Sequence, residues 1–210
     1  MDDDATMAEH WEHIFTTRGE GDRSWTQLTP VMSLRLIAAL DLPADAPIVD
    51  VGGGASRLVD ALVDVGHRDV TVLDVAGSAL QEAASRIGPA AGVHWVTTDV
   101  LTWQPERRVR LWHDRAVFHF LTDDGAQSHY VSLAAATVEP DGHLVLATFA
   151  PGGPTTCSGL PVRQWSAEEL VARFAGAFDL VDSTTEVHHT PGGADQPFTW
   201  VTMRRSSARP

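Results

Sequence analysis

The sequence predicts an α/β protein built on a doubly wound, mostly parallel sheet, and three observations carry that reading. From Pro47 onward, short apolar runs of strand length alternate with amphipathic stretches of helix length. The runs are continuously apolar, as strands buried on both faces require. Acidic and glycine residues gather at the carboxyl ends of the first three runs, where such sheets place their ligands.

The elements follow in order. Residues 7–16 place Met7, Trp11 and Phe15 at helical spacing, and a loop rich in Gly and charge comes next. Thr29 reads as an N-cap with Pro30 at the first helical position, opening a helix to about Leu40. Residues 1–46 therefore form an N-terminal helical lid segment ahead of a core over 47–205. Strands are expected at Ile48–Val51, Val70–Leu73, Val93–Thr97, Val109–Trp112 and Gly142–Phe149. Helices fill residues 55–66, closed by Gly66, then 78–87, stopped by Gly88-Pro89, and 123–138. Ser166 caps one more helix. Phe178–Val187 and Phe198–Arg204, joined by a turn bearing Gly and Pro, close the fold as a C-terminal antiparallel hairpin. The sum is a Rossmann-like, seven-stranded sheet in one domain.

Composition narrows the functions. A length of 210 residues with 43% hydrophobic and 20% charged residues suits one globular domain. The net charge of −13, with no basic cluster longer than a pair, opposes nucleic acid and anionic membrane surfaces as partners. Every basic residue is Arg, so a phosphate-binding P-loop lysine and a Schiff-base lysine are excluded. The lone Cys157 excludes an intramolecular disulfide and a cysteine zinc cage, and it reads as a small buried thiol. Adjacent His188 and His189 on one strand face apart, so no metal site is expected. The first ten residues are too acidic for a signal peptide, and no apolar run reaches the roughly 20 residues of a membrane span. A cytoplasmic protein is expected.

The chemistry concentrates in Asp50-Val51-Gly52-Gly53-Gly54, at a strand-to-helix turn. Glycines there let the backbone turn sharply and approach a ligand closely. A dinucleotide turn would want a third glycine where Arg57 stands, and Asp50 is poor company for a pyrophosphate. Asp50 suits an ammonium group instead. Asp74, at the end of the second run, is placed to accept both ribose hydroxyls, although a helix-start carboxylate would also sit there. Asp99 ends the third run, where it can meet an adenine amino group. A nicotinamide-dependent oxidoreductase is thereby disfavoured.

These residues, together with Thr98-Asp99-Val100 and Glu139-Pro140-Asp141-Gly142-His143-Leu144-Val145-Leu146, resemble the successive motifs of class I S-adenosylmethionine-dependent methyltransferases over residues 45–150. The resemblance implies S-adenosylmethionine as cofactor. Asp50, Gly52, Gly53 and Gly54 would meet its methionine part, Asp74 the ribose, Val75 the adenine face, and Asp99 with Val100 the adenine edge. Ser56 departs from a third glycine common in the family. The Ser24-Trp25 region is similar to a branch holding small bacterial methyltransferases and some protein-lysine methyltransferases, and Trp25 and His113 are further residues expected beside the cofactor.

The run Trp112-His113-Asp114-Arg115, followed by Phe118-His119-Phe120, lies where the family brings acceptor and sulfonium together. His119, oriented by Asp114 or His113 and desolvated by its phenylalanine neighbours, is the expected base; an interior polar group or helix cap is the plainer reading for each. An Asn-Pro-Pro-Tyr motif for base or amide methylation is absent. A small-molecule acceptor with an O, N or S nucleophile is therefore expected, a protein lysine being the alternative. A non-catalytic binding protein on the same scaffold is the rival of another class.

Overall fold

The continuous apolar runs do become strands covered on both faces. The computed structural model describes residues 6–89 and 92–206, and the acidic opening stretch, residues 1–5, lies outside the described residues. Ile48–Val51 (β1), Val70–Asp74 (β2), Val93–Thr97 (β3), Val109–Arg115 (β4) and Val138–Phe149 (β5) pair in parallel. Thr156–Cys157 (β6) and Leu160–Pro161 (β7) make a small separate hairpin that no sequence pattern announced. Phe178–His189 (β8) and Asp195–Arg205 (β9) form the antiparallel hairpin, with β9 bonded to β5. The seven-stranded order is β3-β2-β1-β4-β5-β9-β8, so strand order reverses between β1 and β4. A crevice opens at that point, outside the carboxyl ends. The outermost strand β8 is largely exposed and carries Asp179, Asp182 and Glu186, charges that discourage edge pairing with another chain.

Helices divide between the faces. Val31–Ala38 (α2), Leu58–Asp64 (α3) and Gly77–Ile87 (α4) pack through Leu36, Leu62 and Leu80 on the face of Ile48 and Leu111. Asp124–Thr137 (α5) and Ala167–Phe174 (α6) cover the other face through Tyr130, Leu170 and Phe174. The first helix, Met7–Thr17 (α1), lies against α4, outside the sheet's own layers. Its start and that of α6 are fixed by capping boxes, Thr6 with Glu9 and Ser166 with Glu169. Among the described residues no helix is long and apolar enough to cross a membrane.

Several boundaries differ from expectation, each for a local reason. Pro30 itself caps α2, with no side-chain bond from Thr29, and the helix ends at Ala38. Helix α3 starts at Leu58 because residues 54–57 complete the glycine turn, where the Ser56 hydroxyl accepts the Leu58 N–H at 3.1 Å. Strand β4 runs on to Arg115: its polar residues are held inside the sheet by specific bonds. Asp141, in a left-handed conformation with φ 59°, and Gly142 lie within a β5 that already begins at Val138. Strand β9 likewise starts at Asp195.

One polar network is buried in the α5 face. The Trp112 indole N–H donates to the Tyr130 hydroxyl at 2.8 Å, and that hydroxyl donates to Asp114. Asp114 also accepts the N–H groups of Val117, at 2.8 Å, and Phe118, at 3.1 Å. Burial pushes the Asp114 carboxyl up to about 6, the bonds from Tyr130 and the backbone opposing it. Removing the hydroxyl with Tyr130→Phe should cost about 1–3 kcal/mol of stability, the usual penalty for stranding buried polar groups. The hydroxyl favours the charged carboxylate, so the loss should be larger at pH 8 than at pH 5. Urea unfolding at both pH values measures it; equal losses would mean Asp114 does not change its charge between them.

Candidate active site

The site is assembled by the alternation of β1 and β4. Asp50 pairs in register with His113, and the two side chains share a sheet face. Asp50 Oδ1 lies 2.7 Å from His113 Nδ1, and His113 Nε2 lies 3.0 Å from the Ser33 hydroxyl on α2. All three are buried. With Nδ1–H donating to the carboxylate, Nε2 accepts the Ser33 proton, and the imidazole is fully committed. Asp50 Oδ2, in contrast, is buried and without a partner among the described residues.

The turn that follows tolerates no side chains. A Cβ on Gly53 would stand 2.5 Å from Val72 Cγ1 and 2.6 Å from Asp50 Oδ2. Gly52, at φ 65°, would drive a Cβ to 2.0 Å from Val117 Cγ2. Asp74, at the end of β2, accepts the Ala76 N–H at 2.8 Å. Burial pushes its carboxyl up to about 7; the Asp50 charge adds, while the N–H groups of Ala76, Val75 and Gly54 oppose.

A cavity of about 300 Å³ occupies the crevice, at the lower end of the roughly 300–1,000 Å³ usual for small-molecule sites. Asp50, Gly52, Gly53, Gly54, Asp74, Val75, Asp99, Val100, His113 and Trp25 all line it. Asp99 is exposed, its Oδ1 taking the Leu101 N–H at 2.8 Å, whereas Val100 is buried.

Two of the three residues expected to handle protons lie off this cavity. Asp114 projects to the opposite sheet face, into the Tyr130 network, and orients nothing in the crevice. His119 is wholly buried in the turn Phe118–Phe120, its ring 4.5 Å from Phe120 and 4.7 Å from Phe149. Neither of its nitrogens has a partner among the described residues, and burial, with the Arg115 charge adding, pushes it down to about 3. So weak a base, without contact to His113 or Asp114, is not placed for proton removal from a bound acceptor. Neither residue therefore lines the crevice where the expected role would put it: alternation along the strand turns Asp114 away, and the turn Phe118–Phe120 buries His119. His188 bonds the Ser24 carbonyl and His189 bonds Asp195, so each is held separately.

The N-terminal segment closes over the cavity. Trp11 stacks edgewise on Trp25 and Phe120, with both centroid separations at 5.4 Å. Arg23, itself buried, grips Glu82 of α4 through both terminal nitrogens, at 3.1 and 2.8 Å, and Arg57 pairs with Glu20. Glu12 accepts the Ser78 N–H at 3.2 Å. Sequence reading missed Arg23, Ser33 and Arg115. Period-two counting from His113 would have put Arg115 on the site's face. Nothing local marks Arg23, whose partner is 59 residues away.

No family model matches the chain, and no curated protein matches it significantly in sequence. The likeness to solved structures is extensive. A 1,6-didemethyltoxoflavin-N1-methyltransferase from Burkholderia thailandensis, bound to 1,6-didemethyltoxoflavin and S-adenosylhomocysteine, superposes with TM-score 0.70 at 21% identity, over 99% of this chain and 94% of that one. A methyltransferase dependent on S-adenosylmethionine from Anabaena variabilis gives TM-score 0.72 at 16% identity, over 96% of each chain. The N-methyltransferase NodS from Bradyrhizobium japonicum, in complex with S-adenosylhomocysteine, gives 0.66 at 18%, over 86% of this chain and 90% of that one. The chain thus has the Rossmann-like fold of the S-adenosylmethionine-dependent methyltransferases.

Proposed function

We propose that this chain is an S-adenosylmethionine-dependent methyltransferase acting on a small-molecule acceptor. The observation that carries the reading is the unpartnered Asp50 Oδ2, buried beside a glycine turn that admits no Cβ. A buried carboxylate oxygen without a donor costs folding energy unless a ligand supplies one. An α-ammonium group does so, and the glycine backbone leaves room for the rest of an amino-acid end. Asp74 would take the ribose hydroxyls, Val75 the adenine face, and Asp99 with Val100 the adenine edge. Trp25 would lie over the sulfonium region as part of the lid.

When bound, the cofactor supplies an activated methyl group on sulfur. The chain's own residues then have three tasks. Ser33 and His113 fix the Asp50 carboxylate, and through it the methyl donor's position. The aromatic lid of Trp11, Phe15 and Trp25 keeps water from the cavity. The crevice walls hold the acceptor in line at near-attack distance. Apart from the acids assigned to the cofactor, no lining residue among the described residues supplies an evident base: both His113 nitrogens are engaged, and burial pushes the Cys157 thiol up to about 11. An acceptor that arrives with a free lone pair, such as a neutral amine or an oxyanion, fits this site. The aromatic cover favours a small molecule over a protein lysine, and the 1,6-didemethyltoxoflavin bound by the structurally similar Burkholderia protein is a small molecule too.

Calorimetry should show S-adenosylmethionine and S-adenosylhomocysteine binding in the micromolar range, as for ligands near cellular levels. Absence of binding by the wild type would remove the central claim. Ribose recognition needs the ionised Asp74, whose carboxyl is pushed up to about 7. Affinity for S-adenosylhomocysteine should therefore rise from pH 6 to pH 8, by up to about tenfold per unit below the carboxyl's pKa. Asp74→Asn should weaken binding about 10-fold to 100-fold at pH 8 and flatten the profile. A wild-type profile that is already flat, together with unchanged affinity in Asp74→Asn, would place the ribose elsewhere. Methyl transfer itself is read by product detection across a metabolite panel with labelled cofactor.

A further inference from the structure

Arg115 ends β4, and alternation puts it on the sheet face of Asp50 and His113. Its guanidinium is held on two sides. Nη1 donates to the Trp25 carbonyl at 3.0 Å, and the plane lies over the Phe198 ring, 5.0 Å from its centroid. The side chain lines the cavity beside Cys157 and Phe120. Yet Nε and Nη2 are buried with no partner among the described residues. Glu186, a carboxylate whose charge the guanidinium feels, is engaged by Gln27 at 3.3 Å and by the Trp200 indole at 2.9 Å. Burial pushes Arg115 down to about 10, so it stays cationic at neutral pH.

Nε and Nη2 are not an arbitrary pair. Their N–H bonds run parallel along one edge of the guanidinium and match the two oxygens of a carboxylate. This chain uses that edge twice for the purpose. Arg57 meets the Glu20 oxygens through Nε at 2.9 Å and Nη2 at 3.1 Å. Arg86 meets those of Asp60 at 3.0 and 2.9 Å. In Arg115 the same edge has no protein carboxylate to hold.

We propose that Arg115 is the receptor for a carboxylate on the methyl acceptor, gripped side-on by Nε and Nη2. The proposal rests on the methyltransferase reading and names its substrate class. Position agrees with it: the acids assigned to the cofactor, Asp50, Asp74 and Asp99, lie in β1, at the end of β2 and just after β3, whereas Arg115 stands on the β4 side of the order reversal. The other lining arginines, Arg23 and Arg57, are committed to Glu82 and Glu20, so one positive charge is available. A single flat fork among Phe198, Phe120 and Trp25 suits a monoanionic carboxylate better than a phosphate monoester. Both nitrogens are closed off from solvent, so the carboxylate reaches them when the segment carrying Trp25 lifts. Trp25 and Arg115 are joined by the Nη1 bond, which couples lid position to the fork.

The test uses full-length protein, with and without saturating S-adenosylhomocysteine, titrated in a calorimeter with benzoate, cinnamate and indole-3-acetate and with the corresponding neutral amides. At least one carboxylate should bind about tenfold or more tightly than its amide, the preference expected of a charge-assisted pair. Arg115→Gln should abolish that preference while S-adenosylhomocysteine affinity stays within about threefold, and Arg115→Lys, which keeps the charge but loses the fork, should recover part of it. Equal binding of every acid and its amide by the wild type, or a preference that survives in Arg115→Gln, would overturn the proposal. So would a parallel loss of S-adenosylhomocysteine binding in folded Arg115→Gln, which would assign Arg115 to the cofactor. Wild-type protein that prefers carboxylates but binds no S-adenosylhomocysteine would keep the receptor and sink the methyltransferase reading alone.

Discussion

The carboxylate of Asp50 is the constraint around which the site is built. It is buried on a central strand, so each of its oxygens must be accounted for. His113 takes one, which ties β1 to β4 across the order reversal, and Ser33 extends the tie to α2. The other oxygen leaves only 2.6 Å to any Cβ at the next turn, so position 53 has to be glycine. A single buried acid thus sets the neighbouring strand's polar residue, a helix hydroxyl and the emptiness of the turn.

Strand β4 sorts two polar systems by parity. Trp112 and Asp114 face α5, where Tyr130 and two backbone N–H groups satisfy them fully. His113 and Arg115 face the lid, where satisfaction is incomplete at Arg115. The first arrangement stiffens the sheet, because a saturated buried network has one good geometry. The second leaves donors for something else. Four consecutive residues therefore divide between a saturated network and one with open donors, and their side of the sheet decides which.

This parity explains what the sequence did and did not disclose. The sheet was legible because strands buried on both faces must be apolar throughout, and the glycine turn and strand-end acids sit where backbone geometry alone puts them. Asp50, Asp74 and Asp99 were therefore found at the cavity. Asp114 and His119 lie off the cavity: with β4 running on to Arg115, three residues past the expected end at Trp112, alternation turns Asp114 to the α5 face, and the turn Phe118–Phe120 buries His119. The lid's attachment was illegible for another reason: Arg23 and Glu82 meet only through the packing of α1 on α4.

The cavity carries both signs of charge. Asp50 in β1, Asp74 at the end of β2 and Asp99 after β3 line it together with the Arg115 guanidinium of β4, under an aromatic cover. Such a cover lowers the local dielectric, which strengthens any pairing made inside and penalises any charge left alone. A ligand that brings a positive ammonium to Asp50 and a second ligand that brings a negative group to Arg115 would each relieve one of those penalties. Satisfying one does not satisfy the other, since Asp50 and Arg115 share no hydrogen bond. The N-terminal segment is joined to Arg115 through the Trp25 carbonyl and to α4 through Arg23, so a group that met the free edge of Arg115 would be felt at that segment as well.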